Sequence, residues 1–530
     1  MAIELPNKKN IQGDIWPRLP KKFETFYFFR ITRAKDFKQH MAGLVPLLTT
    51  ADDASKLRND IYEKKAAGTL KSLIKLSAIN VSFSATGLKK LGAKKFDDDV
   101  FNNGMYKDMA APLGGESEAE YQGLDDQHEW FYQFKPHHGG VDGVFIVCGD
   151  SPETIDKTIK KMIEPTFKYG EGGQSLQKIF TQSGEVLPND IEHFGWVDGI
   201  SQPIIVGLDD ESKTKTERGM HPVQPGVILV GNNGDESKHP AWAKDGSFMV
   251  FRTYEQRVPE FTMWCASNTP NFERMGELTD EEKAKVLHEL RLFSSRVVGR
   301  WPDGAPLELH ATQDPNPMLN PDPAINRQEL IKMHGEEGAK KLLAELEHEN
   351  HTDDFNYDPQ DQTRCPFAAH IRKCGPRNDQ PDYAKHLMMR RGIPYGPLTQ
   401  PPEKAGGVTQ HDRGLLFVSY QSSIDNGFRT VQKAFANRED GPQDKKALCG
   451  GAKSQGIDPL IGQAHPSALC KGDPLTYKSP VPQVNMPHPS KPVPRINERT
   501  IDLERFVIPR GGEYFFTPSI SGLQDHLCKV

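Results

Sequence analysis

The chain has 530 residues, more than one hydrophobic core accommodates and enough for two domains or a pseudo-symmetric pair with insertions. Charged residues make up 26% and apolar ones 36%, and the net charge is -6 with no like-charge block of five or more, which disfavours a nucleic-acid partner and a disordered tail. The longest apolar runs, such as 144–148 and 415–418, fall far short of the roughly 20 residues of a membrane helix, so the expected partner is a small molecule and not a membrane.

The first residues, MAIELPNKKNIQGDIW, contain no apolar stretch of the ~7–15 residues typical of a secretory signal. Either that export route is not used or a signal was removed before the numbering begins. Further on, an apolar strand-like run followed by an amphipathic helical pattern recurs. Residues 23–31 (FETFYFFRI) read as a strand with 34–48 as its helix, 78–83 run into a helical 85–91, and 143–148 precede a helix from Ser151 to Met162. The pattern returns with strands at 227–230, 247–254 and 414–420, and with helices after Pro259 and at 427–436. Between them Thr279 and Glu282 form a capping-box pair opening a long helix, whose Val286, Leu290, Phe293 and Val297 share one face. Residues 328–349 are charged and broken by Gly335 and Gly338, as in an exposed helical insertion. The stretch 437–500 is rich in proline and lacks periodicity, which predicts an irregular excursion before a strand at 512–516. The expected architecture is α+β in two domains, 1–222 and 223–530, the second carrying insertions near 328–360 and 437–500.

Seven cysteines (148, 265, 365, 374, 449, 470 and 528) are scattered with no Cys-x-x-Cys spacing, which argues against a zinc site. They read as mostly reduced thiols, with a disulfide among the last three as the alternative. His137-His138 lacks any metal-ligand spacing such as HExxH and reads as surface.

Three segments can carry chemistry. In HFGWVDGISQP, 193–203, Asp198 stands among Phe194, Trp196, Val197 and Ile200. Apolar company would raise its pKa and suit it to proton exchange, unless Asp198-Gly199 is simply a turn. In CPFAAHIRKCGPR, 365–377, His370 is a candidate axial ligand for haem iron, and Arg372, Lys373 and Arg377 are candidates to neutralise haem propionates. The alternative for one histidine among 18 is packing or surface. In HLMMRRGIPYGP, 386–397, Arg390 and Arg391 offer rigid donor forks suited to a peroxide anion, or else form a solvated pair.

The GxxDG pattern at 195–199 extended by Ile-Ser-Gln-Pro, then CPFxAHIRK and RRGIPYG in that order, resemble the dye-decolorizing peroxidase family. IQGDIWPRLPKK near the start, VVGRWPDGAP at 297–306, LLFVSYQSSIDNGF at 415–428 and RGGEYFFTPSISGL at 510–523 are similar to its fungal-type branch, so the resemblance spans nearly the whole chain. It implies two ferredoxin-like α+β domains of the dimeric α/β barrel type, with haem b (iron protoporphyrin IX) held chiefly by the C-terminal half. It also implies a peroxidase that reduces hydrogen peroxide through an oxoferryl haem radical and oxidises bulky aromatic reductants, dyes and phenolics, and in some members Mn(II). A monomer or weak homo-oligomer is expected. Residue by residue, the resemblance assigns His370 as proximal iron ligand, Asp198 as distal acid and Arg390 as distal arginine, with Arg391 one register away. A proximal histidine usually donates its second ring nitrogen to a carboxylate or carbonyl, and Asp425 is a candidate for that partner or for a cap of the helix near Gly427. The competing reading is a haem-binding or iron-releasing protein with incidental peroxidase activity, which would need the ligand but not both distal groups.

Overall fold

The computed structural model describes residues 5–67, 73–111, 124–126, 128–168, 173–209, 221–315, 352–445, 455–463, 483–487 and 498–530, with isolated positions besides. The expected helical insertion at 328–349 lies outside the described residues, as do Cys449 and Cys470. Cys148, Cys265, Cys365, Cys374 and Cys528 carry free thiols.

Nine strands form one sheet: β1 (Phe23–Ile31), β2 (Ser77–Ser84), β3 (Gly143–Gly149), β4 (Leu176–Glu185), β5 (Ser247–Gln256), β6 (Met389–Arg390), β7 (Ile393–Tyr395), β8 (Gly414–Gln421) and β9 (Val507–Thr517). Their order is β6-β8-β5-β9-β2-β3-β1-β4, with β7 also on β8, and every ladder is antiparallel. The order splits into two equivalent quartets. Each places its first strand between its third and fourth, the ferredoxin-like arrangement, and the quartets join through β9 on β2 at Phe515↔Ser84 and Phe516↔Phe83.

The sheet curls into a barrel, and its aromatic content explains why. Phe28 of β1 lies 5.0 Å from Phe251 of β5, with three strands between them in the sheet, and stacks on Phe180 of β4 at 4.4 Å. Such contacts require the inner faces of the two quartets to confront each other. At the far seam Gly184 of β4 abuts β7 so closely that a Cβ there would stand 2.5 Å from the Pro394 carbonyl oxygen. Phe29, one residue on from Phe28, points outward and meets Phe37 of α1 (Ala34–Leu44) at 5.7 Å, so β1 is apolar on both faces because both are covered.

Local signals set several elements. Helix α2 (Ala51–Ala66) follows, and α3 (Asp99–Met109) is capped by Asp98, whose carboxylate accepts from Phe101 N at 2.9 Å. In α5 (Asp280–Val298), which follows α4 (Val258–Ser267), the capping box of Thr279 and Glu282 is present as expected. The strand expected at 227–230 is instead a turn. Pro225 and Gly226 pin a short 3-10 helix there, and Ile228, Leu229 and Val230 are buried as loop residues. The irregular stretch 437–500 contains a strand, Gln483–Pro487, that pairs with Glu498–Asp502.

Candidate active site

Outward-facing residues of the C-terminal quartet, Tyr254 of β5 and Leu415 and Phe417 of β8, floor a cavity of about 290 Å³. It is roofed by α6 (His370–Cys374) and α7 (Asp425–Ala436), and one wall is the loop 192–203. Val298, Ile371, Leu387, Phe428, Val431 and Leu460 make most of the lining apolar, while His370, Asp198 and Arg390 place polar groups on it.

His370 opens α6. Its Nδ1 lies 2.8 Å from Asp458 Oδ2, and Asp458 Oδ1 accepts from the backbone N–H groups of Leu460 (2.8 Å) and Ile461 (3.0 Å). Asp458 is fully buried, so Nδ1 is the protonated nitrogen and Nε2 keeps its lone pair for a metal. Cys374, one helical turn on, places its Sγ 3.4 Å from the same Asp458 Oδ2 and 3.7 Å from His370 Nδ1. Asp458 lies 88 residues from His370 in the 437–500 stretch and was not found in the sequence. Its only local signature is an Asp-Pro pair with the side chain bonded two and three residues ahead.

Asp425 is not that partner. It is the first residue of α7, its side chain is 59% exposed, and it accepts from Arg429 Nη1 at 2.7 Å one turn along the same helix.

The wall carrying Asp198 depends on two turns, with Gly195 at φ 102° and Gly199 at φ 81°, values that favour glycine. Glu192 fastens the loop by accepting from Phe194 N, Trp196 N and Gln256 Nε2, and Trp196 Nε1 donates to Arg300 O at 2.8 Å. Asp198 Oδ1 accepts from Gly199 N at 2.6 Å and from Arg390 Nη1 at 3.1 Å. The apolar neighbours suggested a raised pKa, and burial does push that way. The Arg390 charge and the Gly199 N–H outweigh it, and the carboxyl is held below its ordinary value.

The arginine register follows from strand alternation. Arg390, in β6, faces the cavity. Its Nη2 donates to Ser201 O at 2.9 Å, and its backbone N–H donates to Gln202 Oε1 at 3.0 Å. Arg391 turns away and is buried on the carbonyls of Asp14, Ile15 and Arg390, where burial, reinforced by Arg18 and Arg58, pushes it down to about 9. Ser201 and Gln202 therefore aim Arg390, a role that the sequence motif alone did not reveal.

Arg372 does not reach the cavity. Two residues from His370 on one helix, it points elsewhere, and its guanidinium is consumed by Asp379 Oδ2 (2.7 Å) and the carbonyls of Asp358, Asp361 and Cys365. Lys373 is likewise buried, on the carbonyls of Arg438 and Gly441. Arg377 does line the cavity, beside Arg300 and His221, with both arginines bonded to Asp353 Oδ1 at 2.7 Å.

Comparisons with known proteins identify the family and the fold. Residues 10–188 match the DyP dimeric alpha+beta barrel domain and residues 332–448 the C-terminal domain of Dyp-type peroxidases. The chain is 31% identical to dye-decolorizing peroxidase AauDyP1 of Auricularia auricula-judae, over 98% of this chain and 87% of that protein. The chain belongs to the DyP-type peroxidase family. Its relatives include the dye-decolorizing peroxidase of Mycena epipterygia, 34% identical over 97% of this chain and 86% of that one. Among solved structures, the F194W mutant of the Pleurotus ostreatus dye-decolorizing peroxidase superposes with a TM-score of 0.78 at 33% identity, covering 99% of this chain and 100% of its own. The fold is therefore the DyP α+β barrel, the enzyme is a peroxidase, its cofactor is haem b, and the fungal-type resemblance holds.

Proposed function

We propose that the cavity would seat haem b, held through His370 Nε2, and that Asp198 and Arg390 handle the peroxide. The observation that carries this is the convergence, on one largely apolar cavity, of a carboxylate-backed imidazole and a separate carboxylate–guanidinium pair. The residues fit the group: a flat apolar macrocycle would suit the lining, and Arg377 and Arg300, which share the single carboxylate of Asp353, leave a net positive charge on it for the macrocycle's carboxylates. We place the division of the chain at 222/223, which leaves β1–β4 in the first domain and β5–β9 in the second.

When bound, haem would supply the redox chemistry that couples peroxide to the oxidation of reductants. The residues of the chain do the rest. Ionised Asp198 is placed to take the proton from one peroxide oxygen and to hand it to the other. The Arg390 guanidinium, aimed by Ser201 and Gln202, stabilises the negative charge that develops on oxygen. Asp458 holds His370 in the tautomer that binds metal and raises its basicity. The reductants are bulky aromatic molecules, dyes among them, as the relatives' names as dye-decolorizing peroxidases support. No helix among the described residues is long and apolar enough to cross a membrane.

The test is a stopped-flow spectrum of haem-loaded protein mixed with one equivalent of peroxide, followed by a dye. Rapid loss of the Soret band with recovery on dye addition is expected. A stable ferric spectrum, or bleaching without turnover, would favour a haem-handling protein instead.

A further inference from the structure

The His370–Asp458 pair has a third participant. Cys374 follows His370 by four residues, so the two side chains lie on the same face of α6, and both meet Asp458 at one atom, Oδ2. The other oxygen, Oδ1, is already taken by two backbone N–H groups, so the thiol and the imidazole share the charge of Oδ2 between them. We propose that Cys374 is a positioning residue that sets the basicity of His370, and so the redox potential of iron bound there, by donating its S–H to Asp458 Oδ2. The inference rests on the haem reading above.

The physical reason is competition at one acceptor. A carboxylate oxygen that accepts a second hydrogen bond pulls less strongly on the first donor, so the His370 N–H is less polarised and Nε2 gives less electron density to a metal. A less basic axial nitrogen favours the lower oxidation state of iron. The thiol is a weak donor, fit for fine adjustment where a hydroxyl at the same place would compete harder. Cys374 is not placed to ligate the iron itself. Its sulfur lies on the Nδ1 side of the ring, 3.7 Å from that nitrogen, whereas the metal belongs to Nε2.

The experiment uses haem-loaded wild type, Cys374→Ala and Cys374→Ser. It reads the iron–histidine stretching frequency of the ferrous form by resonance Raman and the ferric/ferrous midpoint by spectroelectrochemistry. Cys374→Ala is expected to raise the stretching frequency and lower the midpoint, because Oδ2 then serves His370 alone. Cys374→Ser retains a donor, and a stronger one, and is expected to return both values to wild type or past it, to a lower stretching frequency and a higher midpoint. If Cys374→Ala does not fold, Cys374→Val fills the volume without a donor and carries the same expectation. A donor-free variant with full haem and both values unchanged would overturn the role of Cys374 and leave the ligand assignment standing. Wild-type protein with no iron–histidine stretch would overturn the ligand assignment first.

Discussion

Asp458→Asn should damage haem binding at least as much as Asp458→Ala, although it preserves shape. Asp458 Oδ1 receives the N–H groups of Leu460 and Ile461, so an asparagine keeps both bonds only with its carbonyl oxygen at that position. Its NH2 then stands where Oδ2 stood, 2.8 Å from His370 Nδ1, and donates to it. The ring proton is driven to Nε2, the nitrogen needed by the metal. Restoring the binding tautomer requires the amide to flip, which leaves two buried backbone N–H groups without acceptors at ~1–3 kcal/mol each. The total of about 2–6 kcal/mol corresponds to at least roughly a 30-fold loss of affinity. Asp458→Ala removes the acceptors of His370 Nδ1 and of both backbone N–H groups, but the latter cost falls on apo and holo protein alike and no donor is turned toward Nδ1, so the loss of haem affinity is about 10–100-fold. The assay is haem transfer from each holoprotein to excess apomyoglobin, followed at the Soret band. Asp458→Asn protein that holds haem as tightly as wild type, with an unchanged ferric spectrum, would refute the tautomer argument and with it the assignment of Nδ1 as the donor.

His370→Ala should lose most of its haem while the apoprotein still folds, because among the described residues the ring meets Asp458 and Cys374 alone and Asp458 keeps the N–H groups of Leu460 and Ile461; normal haem content in that variant would remove it as the ligand. Asp198→Asn should retain haem and slow the reaction with peroxide by about 10²–10⁴-fold, measured as the second-order rate of Soret loss. The depressed pKa of Asp198 places the acid limb of that rate below the ordinary carboxylate range in wild type, and Arg390→Leu should move the limb upward, since burial then acts without the guanidinium that most strongly opposes it. An unmoved limb would mean that another group accepts the proton. Buried His193, its Nε2 on Tyr395 O, has its pKa lowered from 6.5 to about 4, mainly by burial. The unfolded chain therefore binds the extra proton first as pH falls, so the stability present above 6.5 is lost progressively toward pH 4, by at most about 3 kcal/mol from this group. Urea midpoints of His193→Asn apoprotein should show a shallower decline between pH 7 and 4.5 than those of wild type.

What could be read in advance follows the range of the interaction concerned. Thr279 and Glu282 cap a helix across three residues, and β1 is apolar on both faces, so these elements were legible locally. Strand β4 was not, because most of LQKIFTQSGE is exposed or half-buried, only Leu176 and Gly184 being buried, and Phe180, stacked on Phe28, marks its inner face. The motifs brought out His370, Asp198 and the arginine pair as residue types, but each question left open turned on a distant group. Strand pairing of Met389 and Arg390 with Tyr420 and Ser419 decides which arginine faces the cavity. The Arg390 charge, 192 residues away in sequence, reverses the pKa direction that the apolar neighbours of Asp198 suggest. Spacing on one helix turn removes Arg372 from the cavity and brings Cys374 to it. Asp458 is the sharpest case: it sits in a proline-rich stretch without periodicity, and its role exists only because the chain folds that stretch back under α6. The chemistry of this site is thus set by pairs whose members are individually unremarkable, and the substitutions that test it are those that change a partner while sparing the residue the motif names.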